Sequence, residues 1–71
     1  MVNDLTDREN ETLGHIFEGK SSKDAADDMY LSKRTVDFHL ANAYRKLGVG
    51  NRVQAFRLLT KRGQLPVAAS I

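Results

Sequence analysis

A compact all-α domain of four helices is the fold class this sequence predicts, and three observations carry it. Apolar residues recur at spacings of three and four almost throughout, and no alternating run is long enough for a convincing strand. A hydroxyl or amide residue also precedes each periodic segment, where a helix N-cap belongs. With 71 residues the chain has room for one small core, so it reads as a single domain over 1–71.

The first helix starts at Thr6. Thr6-x-x-Glu9 forms a capping box, in which hydroxyl and carboxylate satisfy two backbone donors reciprocally. It should bury Leu13, Ile16 and Phe17 and end at Gly19. Ser21 or Ser22 caps a short second helix through about Met29, with Asp24 in its first turn and Ala25, Ala26 and Met29 as a packing face of small side chains. Tyr30 and Leu31 make a brief connection.

Ser32 caps the third helix, which runs to about Lys46 before Gly48 breaks it, a length of roughly 21 Å at about 1.5 Å per residue. Val36, Leu40, Ala43 and Leu47 recur at four, three and four, which is one buried stripe. The opposite stripe is Arg34, Phe38, Ala41 and Arg45, with Asp37 beside it. Asn51 caps a fourth helix through about Arg62, with two faces: Ala55, Leu58 and Leu59 on one, Val53, Phe56, Arg57 and Thr60 on the other. Gly63 and Pro66 end the regular structure, and residues 66–71 read as a loosely packed or frayed tail.

Composition excludes several classes. Without cysteine there is no disulfide framework or thiolate zinc site, so the interior is expected to be apolar packing alone. No stretch is long enough to span a membrane and no secretory signal opens the chain, which gives a cytoplasmic expectation. The net charge of +2 is unevenly spread. Residues 1–32 carry three basic side chains against eight acidic ones, whereas residues 33–62 carry eight basic ones against Asp37 alone, a polarity suited to a polyanionic partner.

Two apparent motifs fail on physical grounds. Residues 14–21, GHIFEGKS, satisfy the phosphate-loop pattern, but that loop needs a buried strand entering it and a parallel sheet behind it, and Ile16 and Phe17 belong to a helix face. His15 and His39 have no cysteine or histidine partner at ligand spacing and no serine nucleophile nearby, so no metal, cofactor or catalytic residue is assigned and no enzyme is expected. Partial burial suits His15; His39 borders the helix-three core stripe, where a structural hydrogen bond or a phosphate contact would occupy it. Asp27 and Asp28 diverge on their helix and read as solvated.

A short helix, a tight connection and a longer helix with a basic and aromatic outer stripe make a helix-turn-helix, whose second helix enters the DNA major groove. The residues add a resemblance. Leu5-Thr6-x-Arg8-Glu9-x-Glu11-x-Leu13, Gly19-x-Ser21-x-Lys23-x-x-Ala26, Ser32-x-x-Thr35-Val36-x-x-His39-Leu40 and Lys46-Leu47-Gly48-Val49-x-x-Arg52-x-x-Ala55 occur in order. Together they resemble the LuxR-type DNA-binding domain of transcription regulators, over about residues 5–65.

That resemblance implies a domain that binds double-stranded DNA as a homodimer on an inverted-repeat promoter site, the third helix reading bases and the fourth pairing subunits. It places Arg34, Asp37, Phe38 and Ala41 at base edges, and Lys23, Thr35, Lys46 and Arg52 near phosphates. Lys33 and Arg45, basic residues of the third helix, join the phosphate set, and Val53, Arg57 and Thr60 form the dimer face, which would pair mainly on DNA if it proves too small alone.

Arg34 could donate bidentately to guanine and Phe38 could meet a thymine methyl, unless it packs under an arginine stem or against helix two. Asp37, often basic in the family, pairs with Lys33 or Arg34 or accepts from a cytosine amine. Ala41 is shorter than some members' polar side chains, and Thr12 and His15 stand where apolar core residues are usual, which implies a slightly polar core. The alternative function is a helical protein-interaction module contacting the transcription machinery, such as RNA polymerase, with Phe38 and Phe56 as anchors.

Overall fold

Each helix begins where a side chain takes over an otherwise unpaired backbone amide. In a computed structural model of the chain, which describes residues 2 and 4–65, the elements are α1 (Asp7–Phe17), α2 (Ser22–Met29), α3 (Lys33–Leu47) and α4 (Arg52–Arg62). Thr6 accepts from the Glu9 amide at 3.1 Å while the Glu9 carboxylate accepts from the Thr6 amide at 3.0 Å, completing the capping box. Ser21 rather than Ser22 caps α2, accepting from the Asp24 amide at 3.1 Å. Ser32 and Asn51 cap α3 and α4 through the amides of Thr35 and Gln54. Gly48 and Gly63 end α3 and α4 in the left-handed region, at φ of 72° and 67°, where glycine has no Cβ to crowd.

α3 packs on both α1 and α2, and α4 closes over α1 and α3. One buried cluster joins Val2, Leu5 and Leu13 to Ala43, Leu47 and Leu59; a second joins Ile16 to Ala25, Ala26 and Val36. Phe17 and Leu40 touch both clusters and weld them into one core. The expected stripe of α3 therefore faces inward, with Leu40 half-buried and Val36, Ala43 and Leu47 buried. Burying such side chains contributes about 1.5–3 kcal/mol each for the larger ones.

The interior is not purely apolar. Glu9, Asn10, Thr12 and His15 are all buried on α1, and each is satisfied: among the described residues no buried side-chain nitrogen or oxygen lacks a partner. Asn10 accepts from the Val2 amide at 2.8 Å and donates to the Val2 carbonyl at 3.0 Å, which ties the N-terminal segment to the helix. Thr12 donates to the Arg8 carbonyl at 2.7 Å. His15 is fully rather than partly buried, and the Lys20 ammonium donates to its Nδ1 at 3.0 Å. Asp28, expected to be merely solvated, bonds Lys20 at 2.8 Å and links α2 to the turn after α1. This bond holds the Asp28 carboxyl below the usual aspartate range and pushes the Lys20 amine up. No helix among the described residues is long and apolar enough to cross a membrane.

Candidate nucleic-acid interface

Because Val36, Leu40, Ala43 and Leu47 turn one side of α3 into the core, the geometry of a helix turns the other side outward. Arg34, Phe38, Ala41 and Arg45 are all exposed, and Phe38 is 62% exposed. Its ring lies 6.1 Å from that of His39, centroid to centroid. The half-buried His39 has no side-chain hydrogen bond among the described residues. Asp37 accepts from Lys33 at 2.8 Å, not from Arg34, so Arg34 is left without that restraint. The Lys33 bond, followed by one from Ser22, holds the Asp37 carboxyl below its ordinary value.

The residues expected near phosphates differ in their freedom. Lys23 is exposed in the first turn of α2, and Arg52 is exposed as the first residue of α4. Thr35 hydrogen bonds the Ser32 hydroxyl at 2.9 Å within the cap of α3, and Arg45 donates to Asn42 at 3.2 Å. Lys46 is differently engaged: its ammonium lies 2.7 Å from the Glu9 carboxylate, so a phosphate would compete with that pair. Burial alone would push the Glu9 carboxyl up, but the Lys46 and Thr6 bonds outweigh it and the net direction is down.

On α4, Val53, Arg57 and Thr60 are exposed, as a dimer face requires. Phe56, half turned outward, meets Phe17 edge-on at 5.4 Å. Together with Arg52, Val53 and Arg57 these two rings line a shallow depression of about 400 Å³. Among the described residues no group of histidine, cysteine, aspartate or glutamate is placed to hold a metal ion.

Sequence reasoning treated Glu9 only as a cap, and it missed Val2, Asn10 and Tyr30. Asn10 lies three and seven residues before Leu13 and Phe17, so its place on the core-facing stripe was the available signal. Tyr30, in the connection between α2 and α3, adopts φ 57° and is 95% exposed.

A short helix, a tight turn and a longer helix held by its apolar face, with a basic and aromatic face outward, define a helix-turn-helix DNA-binding unit. Residues 3–59 match the family described as bacterial regulatory proteins, luxR family. The spore germination protein GerE of Bacillus subtilis (strain 168) is 39% identical over 61 residues, 86% of this chain and 82% of GerE. The transcriptional activator protein LuxR of Aliivibrio fischeri is 53% identical over 53 residues, covering 75% of this chain and 21% of LuxR. The solved structure of the transcription factor GerE superposes with a TM-score of 0.79 at 35% identity, over 89% of this chain and 94% of that one. The chain belongs to the LuxR/GerE family of transcription regulators, as a DNA-binding domain and not an enzyme. It spans about a fifth of the length of LuxR.

Proposed function

We propose that this domain, single over residues 1–71, binds double-stranded DNA sequence-specifically, with α3 in the major groove. Arg34, Asp37, Phe38 and Ala41 meet base edges there. The observation that carries the reading is the exposed Phe38 between Arg34 and Arg45, on a helix whose other side is locked into the core. A solvent-exposed aromatic between arginines has an apolar ring for a thymine methyl and guanidinium forks for guanine or phosphate. Lys23, Lys33, Thr35, Arg45 and Arg52 hold the backbone, and Lys46 joins them only by leaving Glu9. Two copies pair through Val53, Arg57 and Thr60 of α4, so the preferred site is an inverted repeat with half-sites about one duplex turn apart. Action on a promoter places the protein in the cytoplasm.

Fluorescence anisotropy of labelled duplexes across a salt series tests this. Affinity should fall steeply as salt rises, because several cations displace condensed counterions. Binding indifferent to salt would refute it. The depression between Phe17 and Phe56 favours an alternative use of this face in place of subunit pairing, contact with the transcription machinery, in which an apolar side chain seats between Arg52 and Arg57. Phe56→Ala that binds DNA normally yet fails to alter transcription from a target promoter would support this; equal transcription would remove it.

A further inference from the structure

Glycines in the left-handed region follow α1, α3 and α4: Gly19, Gly48 and Gly63. Helix α2 instead ends on Tyr30, the non-glycine residue with positive φ among the described residues. An L-residue in that conformation crowds its Cβ against the following carbonyl oxygen, which glycine escapes. Backbone hydrogen bonds of the cap hold the turn, but the side chain adds no packing to offset the strain, since Tyr30 is the most exposed of the large hydrophobic residues. Strain retained for a side chain that touches solvent alone points to a use outside the chain.

The position indicates which use. The Leu31 amide donates to the Ala26 carbonyl at 2.9 Å and Leu31 packs against the second cluster, so the turn is pinned from within while Tyr30 projects. Two residues later Ser32 caps α3, and the exposed Lys33 and Arg34 follow directly. Tyr30 thus stands at the entrance of the helix assigned to the groove. The nearby Asp28 has its charge met by Lys20, although Asp27 remains exposed on the same turn of α2.

We infer that Tyr30 is a further DNA-binding residue: its hydroxyl donates to a backbone phosphate at the edge of the groove that α3 enters. The inference rests on the DNA-binding reading above. Tyr30→Gly and Tyr30→Phe test it, using thermal melting and anisotropy with a duplex selected by the wild-type domain from a random pool, at several salt concentrations. Tyr30→Gly should melt no lower than wild type, because it removes the strain, yet bind about tenfold more weakly, the scale of one hydrogen bond to a charged group. The slope of log affinity against log salt should stay unchanged, since no cation is lost. Tyr30→Phe should share the loss. Wild-type affinity in either variant, or a Tyr30→Gly domain melting well below wild type, would overturn the inference. Failure of the wild-type domain to bind any duplex would overturn the reading beneath it instead.

Discussion

Replacing Lys46 by methionine keeps most of the stem and deletes the ammonium, and its consequence follows from where Glu9 sits. The Glu9 side chain is 5% exposed, and without Lys46 its carboxylate keeps only the Thr6 amide at 3.0 Å. Stranding a buried charge costs about 3–5 kcal/mol. The Lys46 side chain is 32% exposed, so water reaches this edge of the core and the cost falls to about 2 kcal/mol. For a domain of this size that lowers Tm by about 8–16 °C. The effect must depend on pH. Glu9 has a depressed folded pKa, so its contribution is present above the unfolded glutamate value and is lost as pH falls through the folded one. The gap between wild type and Lys46→Met, measured by thermal melting, should therefore be wide at neutral pH and close towards the acid end. If the pair persists on DNA, the salt slope of binding should not change. A Tm shift under about 2 °C, or a gap independent of pH, would refute the structural role. A slope reduced by about 0.9 would return Lys46 to the phosphates.

Asp37→Lys, which removes the partner of Lys33 and adds a cation, should tighten binding to unrelated DNA, steepen the salt slope and narrow the difference between preferred and random sites; an unchanged difference in anisotropy would make Asp37 a bystander. Thr60→Glu, on the exposed face of α4, should leave Tm nearly unchanged but reduce cooperative binding to a full inverted repeat. Equal full-site affinity in wild type and variant would exclude α4 pairing through Thr60.

The helices were legible because their start signals are local. A threonine, serine or asparagine three residues before the amide it caps is visible in the sequence, and the structure places Thr6, Ser32 and Asn51 accordingly. The outward stripe of α3 was legible for the same reason: helical period fixes which residues oppose Val36 and Leu47. Long-range polar pairing was not. Glu9 and Lys46 are 37 positions apart, and nothing in either segment alone indicates that the carboxylate of a capping box also receives an ammonium from the far end of α3. His15, Lys20 and Asp28 escaped likewise, since their meeting depends on how the turn after α1 folds back over α2. The left-handed Tyr30 was hidden because tyrosine, unlike glycine, carries no signal for that conformation.

The most direct test of base reading by α3 is parallel selection of bound duplexes from a random pool by the wild-type domain and by Arg34→Ala. The wild type should enrich an inverted repeat with half-sites about one turn apart. Arg34→Ala should keep the repeat and its spacing while losing preference at one position in each half-site, a discrimination of about 1–3 kcal/mol for a bidentate arginine. Identical motifs from both proteins, or no enriched motif from the wild type, would contradict the assignment of the exposed face of α3 to the bases.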